Sequence, residues 1–295
     1  MTAPASETDR TTALAALALG AVILGFAPAL VRLSETQGAG PQAAAFWRFA
    51  LSLPVLSLLA FCERRGRSAP TRSAMQPLAL AAILFGLDLS FWHAAIVRTT
   101  MANATLLANL TPVIVAAAGW ILFRERPTLR WMAGAATALA GAALLAGASV
   151  SAAPQRLAGD GLATLAAVWY ALYMIAIQRA REHVGPFQAS LAVTSGAMCV
   201  ALAAVAVSGE RLFGATPQGW MWLLLLGVVV HVGGQGAVVF ALGRLPVTVS
   251  SVIILIQPIA AAIIGFVLFG EAFGPLDWVG AALVLCGIWL AHKAR

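Results

Sequence analysis

Four ionisable side chains stand inside long apolar runs: Arg48, Asp88, His93 and His231. An ionisable group in lipid is costly, and by default it marks a place where substrate, proton or ion is handled. Arg48 and Asp88 have opposite signs and two readings. They form an ion pair that holds two helices together, or they are docking points, Arg48 for a carboxylate and Asp88 for an ammonium group. His93 falls near the end of its run, where a solvated or hydrogen-bonded histidine is the ordinary outcome. His231 lies mid-run with Gln235 one turn on and Gly227 one turn before, a polar strip suited to a cavity wall.

Aromatic residues add shape. Phe85, Asp88 and Trp92 share one face of a helix, and Trp169, Tyr170 and Tyr173 form a compact patch. That patch is too far from either end of its run to be an interfacial belt. It lines a cavity for a bulky substrate or fills space between helices. Asn103, Asn109 and Gln257 supply uncharged hydrogen-bonding groups, for a substrate or for a neighbouring helix.

Other chemistries lack their residues. No GxxxxGK[ST] stretch provides an ATP engine, and no HExxH motif provides a metal site. A single buried aspartate cannot form a carboxylate dyad. The only lysine, Lys293, is at the tail, where no retinal-type Schiff base could form. Cys62, Cys199 and Cys286 are widely spaced and read as small buried side chains rather than metal ligands or a disulfide frame. No catalytic residue, metal or cofactor is expected.

The elements that carry these groups must lie in a membrane. The 295 residues are 61% hydrophobic and 10% charged, with mean hydropathy +0.91, which cannot cover a water-facing surface. The net charge of +7 does not signal nucleic acid, because the basic residues sit in short connectors and no basic, aromatic-interleaved stripe exists. A bilayer core needs about 20 apolar residues per helix. Ten segments qualify: 12–33, 41–62, 74–97, 100–123, 128–147, 159–180, 186–208, 217–241, 246–269 and 275–292. The first has the outline of a signal peptide, but it reads as a retained helix because its removal would break the symmetry described next. Thirteen Arg and Lys residues fall on the side of the N-terminus and four on the other, so both termini are expected in the cytoplasm. On helix geometry Arg48 and Asp88 lie about 10 and about 14 Å from the same face, depths compatible with contact.

One apolar sentence is written twice. TPVIVAAAGWILFRE (111–125) returns as QPIAAAIIGFVLFGE (257–271), an offset of 146 residues. The same offset relates Arg98 to Arg244, Gly134 to Gly280 and Gly141 to Gly287. The chain therefore divides into two five-helix halves, 1–150 and 151–295. Five is odd, so the second half enters from the opposite face, an inverted repeat of the kind that gives transporters inward-open and outward-open states. Pro112 and Pro258, with Pro28 in the first helix, are expected to kink their helices, as hinges or as fixed bends. Glu125 and Glu271 end the repeated segments; they cap the next helix or take part in transport.

The paired Pro-to-Glu segments, GFAPALVRL at the end of helix 1 and WRFALSLP in helix 2 resemble the drug/metabolite transporter superfamily, in its ten-helix members with two EamA repeats. The similarity covers nearly the whole chain and is greatest to YddG-type bacterial exporters of amino acids, aromatic ones in particular. It implies a central cavity lined mainly by helices 1, 3, 4, 6, 8 and 9, with the fifth helix of each half peripheral. Helix 1 departs from the small four-helix multidrug members in carrying no acidic residue between Thr11 and Leu33. The expectation is an all-α membrane protein of the bacterial inner membrane. It is a secondary transporter of amino acids and related small metabolites, with lipid and small molecules as partners and no nucleic acid. The alternatives are a proton-coupled exporter of drugs or other metabolites on the same fold and, from another class, an intramembrane enzyme.

Overall fold

The computed structural model describes residues 7–64, 72–123, 128–152, 156–271 and 274–292, and all regular structure among them is helical. The first span is α1 (Glu7–Leu24) with α2 (Ala27–Glu35), the second α3 (Pro41–Ala50) with α4 (Leu53–Arg64), and the third α5 (Arg72–Ile96). The fourth joins α6 (Met101–Ala108) and α7 (Thr111–Phe123); α8 (Leu129–Ala152) completes the first half. α9 (Arg156–Arg181) and α10 (Pro186–Ser208) are the sixth and seventh. The eighth runs through α11 (Pro217–Leu225), a π-helical stretch (Leu226–Gln235) and α12 (Gly236–Leu242). α13 (Val247–Ile253) with α14 (Ile256–Phe269) is the ninth, and α15 (Pro275–His292) the tenth.

Among the described residues seven spans are long and apolar enough to cross a membrane, and the fourth, fifth and tenth hold shorter apolar helices at Asn103–Val115, Met132–Gly141 and Trp278–Gly287. Val207 and Phe266 are 90% and 64% exposed, an apolar exterior that lipid tolerates and water does not. Cys62, Cys199 and Cys286, expected to be buried, are exposed on the same exterior, where a small weakly polar thiol meets lipid at little cost.

Proline explains where spans break. Pro28 and Pro112 are second in α2 and α7, and Pro258 is third in α14. A proline ring lacks the N–H and collides with the carbonyl one turn back, so the preceding helix ends and a new one starts. At the breaks the backbone tightens into three-residue bonds: Phe26 N–H reaches Ile23 O at 3.2 Å, and Gln257 N–H reaches Ile254 O, the carbonyl Pro258 leaves free, at 2.8 Å. The expected kinks are therefore complete breaks.

Glycines let the fifth and tenth spans touch backbone to backbone. A Cβ on Gly141 would lie 2.6 Å from Val284 N, and one on Gly287 would lie 2.3 Å from Ala138 N. The small residues of α8 thus serve packing against α15 of the same chain.

Two glutamates tie the halves together. Glu210, just after α10, accepts from Gln42 N–H at 2.8 Å and Ala43 N–H at 2.9 Å, at the start of α3. Glu63, in the last turn of α4, accepts from Phe187 N–H at 3.0 Å and Gln188 N–H at 2.9 Å, at the start of α10. Each closes orphan donors that a helix start leaves open.

Candidate substrate cavity

The buried charges meet at a cavity of about 40 Å³ inside the bundle, which both halves line. Helix 2 contributes Arg48, helix 3 Phe85, Asp88 and Trp92, helix 6 Tyr170, and helix 8 Gln235. Asn109 at the break between α6 and α7 and Gln257 beside Pro258 complete its polar wall. The proline breaks thus place amide side chains at the cavity. Helix 2 joins the helices implied by the resemblance because it carries Arg48.

Arg48 is 1% exposed, and neither its Nε nor its Nη1 has a hydrogen-bond partner. Asp88 is 6% exposed. No ion pair within 4.0 Å joins Arg48 to Asp88, so the two face the same space without touching. The pair contact allowed by their depths is not formed. A buried guanidinium with two of its nitrogens unpaired is costly, because those N–H groups lose their water without gaining a hydrogen bond. Its fork is shaped to take a carboxylate through two parallel bonds.

The aromatic patch of helix 6 splits. Tyr170 reaches the cavity and stacks on Tyr173 at 5.6 Å. Tyr173 lies behind the wall, stacked on Phe85 at 4.5 Å, and its hydroxyl accepts from Gln235 Nε2 at 3.2 Å. Trp169 turns away to Phe91, 6.3 Å between ring centres. Phe85 is the keystone, since His231 stacks on it as well, at 5.8 Å.

His231 is buried behind Phe85 and bonded through Nε2 to Thr194 Oγ1 at 2.9 Å. The strip expected with Gln235 divides by its partners: His231 is held by Thr194 and Phe85, while Gln235 bonds Tyr173 and reaches the cavity. His93 is fully buried, not solvated, and its Nδ1–H donates to Pro41 O at 3.2 Å, away from the cavity. Asn103 is buried in the first turn of α6, where its N–H is received by Thr100 Oγ1 at 3.1 Å; it does not reach the cavity wall.

Sequence reasoning missed a second cluster. Asp88 was expected to be the only clear membrane carboxylate, but Asp160 is 2% exposed and accepts from Thr99 Oγ1 at 2.6 Å. Glu271 pairs with Arg32 and accepts from Met101 N–H at 3.1 Å, capping α6. Glu125, its counterpart in the repeat, lies outside the described residues. The available signal was Arg32 itself, a cation at the end of an apolar run with an acid at the end of another.

A ten-span bundle around a small charged cavity defines a multi-pass membrane protein of the transporter class. The model of the EamA-like transporter family matches residues 11–147 and again 157–292. The chain belongs to the EamA-like transporter family, with two EamA repeats. An uncharacterized transporter of Archaeoglobus fulgidus is 27% identical over 282 residues, 95% of this chain and 96% of that one. The uncharacterized transporter YwfM of Bacillus subtilis is 25% identical over 216 residues, covering 73% and 72% of the two chains. A solved structure, described only as a crystal structure of a protein, superposes with a TM-score of 0.68 at 20% identity over 97% of this chain and 99% of its own. That likeness speaks to the fold.

Proposed function

We propose that the protein is a secondary transporter, an exporter or facilitator of amino acids, aromatic ones included, and of related small metabolites. It works by alternating access between two inverted five-helix halves, 1–150 and 151–295, in the bacterial inner membrane with both termini cytoplasmic. The observation that carries the substrate class is Arg48, its Nε and Nη1 without hydrogen-bond partners, across the cavity from Asp88. An α-amino acid brings a carboxylate to the first and an ammonium group to the second, which bridges two facing groups of opposite sign that do not touch. Phe85, Trp92 and Tyr170 offer rings to a bulky side chain.

A space of about 40 Å³ holds a few waters and no amino acid, so loading requires the halves to part. The reciprocal Glu63 and Glu210 caps support the inverted relation, since each half treats the other in the same way. Purified protein in liposomes preloaded with phenylalanine should take up labelled phenylalanine by counterflow without ATP. No counterflow with any amino acid would end this reading. Accumulation that requires an imposed pH gradient would favour the proton-coupled exporter, with Asp88 as the proton carrier.

A further inference from the structure

One carboxylate and two amides share the wall of the cavity: Asp88 from helix 3, Asn109 from the break in helix 4 and Gln235 from helix 8. An ionised carboxylate only accepts hydrogen bonds, whereas an amide donates at one end and accepts at the other. What an amide shows the cavity therefore depends on which end the protein holds. Asn109 gives its Nδ2–H to Thr105 O at 2.8 Å, and a backbone carbonyl can take only a donor. Its oxygen is the end left for the cavity. Gln235 gives its Nε2–H to the Tyr173 hydroxyl at 3.2 Å. Tyr173 is 1% exposed and is fixed behind the wall by stacking on Phe85 and Tyr170. With its nitrogen turned back to that hydroxyl, Gln235 presents Oε1 to the cavity.

The donors are different residues. Arg48 has no acceptor atom, and its Nε and Nη1 find no partner. Trp92 Nε1–H is likewise a donor only, without a partner among the described residues. The wall thus offers N–H groups from Arg48 and Trp92 and oxygens from Asp88, Asn109 and Gln235. A set of three oxygens matches one kind of nitrogen best. A primary ammonium carries three N–H donors, its N-methyl derivative two and its trimethyl derivative none.

We infer that Asp88, Asn109 and Gln235 form a three-oxygen seat for a primary ammonium group, with Thr105 and Tyr173 as positioning residues that hold the two amides oxygen-inward. Taking the amino-acid reading above as its basis, the seat narrows the substrate to primary α-ammonium carboxylates and disfavours N-alkylated ones. Each methyl on nitrogen removes an N–H and leaves a buried oxygen without its partner, a loss that recognition by charge alone would not register. Asp88 and Asn109 belong to the first EamA repeat and Gln235 to the second, so the ammonium group also ties the repeats together across the cavity.

Competition against counterflow of labelled phenylalanine in liposomes reads this selectivity, with phenylalanine, N-methylphenylalanine, N,N,N-trimethylphenylalanine and phenylpropionate as competitors. Against the unaltered protein the N-methyl compound should compete about tenfold less well than phenylalanine, and the trimethyl compound at least about tenfold less well again. Bulk alone would give the same order, and Gln235→Leu and Asn109→Leu make the distinction, because they put a branched hydrocarbon where the amide was. Each should weaken phenylalanine about tenfold and lose most of the discrimination against a single methyl. Gln235→Glu keeps an oxygen toward the cavity and should keep the discrimination. Tyr173→Phe retains the ring on Phe85 and frees the amide to turn; it should reduce the discrimination and spare phenylpropionate, a split that a packing role does not produce. That variant keeps the test open if the leucine variants fail to reach the membrane. Equal competition by phenylalanine and its methylated forms would overturn the seat and leave the amino-acid reading standing. Discrimination that persists in Gln235→Leu, Asn109→Leu and Tyr173→Phe would overturn it as well. Failure of phenylalanine to compete at all would remove the reading and the seat together.

Discussion

Glu63 and Glu210 exchange caps: the carboxylate ending the second span closes the start of the seventh, and the carboxylate after the seventh closes the start of the second. Both helices begin at a Gly-Pro pair, Gly40-Pro41 and Gly185-Pro186. A Cβ on either glycine would strike the capping carboxylate, at 2.2 Å for Gly40 and 2.3 Å for Gly185. Glycine is there so that an acid from the other half can reach the backbone.

Removing either cap leaves two N–H groups without their acceptor. Glu63→Ala and Glu210→Ala should each cost about 1–2 kcal/mol of stability. The caps sit at opposite ends of an antiparallel helix pair, so the double variant should lose the sum. Thermal melting in detergent measures this. A double variant no worse than either single would mean that the two caps are energetically one unit.

The split of the aromatic patch separates residues that sequence alone could not. Trp92 is on the cavity wall, whereas Trp169 packs on Phe91. A ring stacked on a substrate ring contributes roughly 0.5–1.5 kcal/mol beyond burial. Trp92→Ala should weaken binding of phenylalanine or tryptophan up to about tenfold and that of threonine less. Trp169→Ala should affect large and small substrates alike. A size-dependent loss at Trp169 and none at Trp92 would mean that the substrate ring seats elsewhere.

How much was legible follows from what periodicity can carry. Ten apolar runs and their Gly-Pro punctuation are local signals, and a helix was found at each. Arg48, Asp88, Trp92, Tyr170, Gln235 and Gln257 reached the cavity because an ionisable or amide group buried in lipid has few other places to go. His231 missed it because Phe85 stacks against it and Thr194 holds its Nε2, contacts with distant helices that nothing in LGVVVHVGGQ announces. Asp160 was passed over because it stands within a turn of Arg156, in what sequence reads as the wet end of a helix. Its burial comes from the α5–α6 turn folding over it, a contact 61 residues distant.

Topology has a direct readout. Reporter fusions after residues 68 and 295 should both report cytoplasm, and a fusion after residue 154 should report periplasm. Residues 68 and 154 on one side would remove the odd number of crossings in the first half and the inverted relation with it.

The charge pair of the cavity gives the sharpest discrimination. Phenylalanine carries both head groups, phenylpropionate only the carboxylate and phenethylamine only the ammonium. If Arg48 holds the carboxylate, Arg48→Gln should weaken phenylalanine and phenylpropionate about tenfold or more while sparing phenethylamine. If Asp88 holds the ammonium, Asp88→Asn should do the reverse, sparing phenylpropionate. Arg48→Lys keeps the charge without the fork and should recover part of the loss. Ratios taken within one variant cancel damage to folding, because every ligand meets the same protein. Equal losses for all three ligands, with reduced folded yield, would make Arg48 and Asp88 structural charges that balance one another across the cavity.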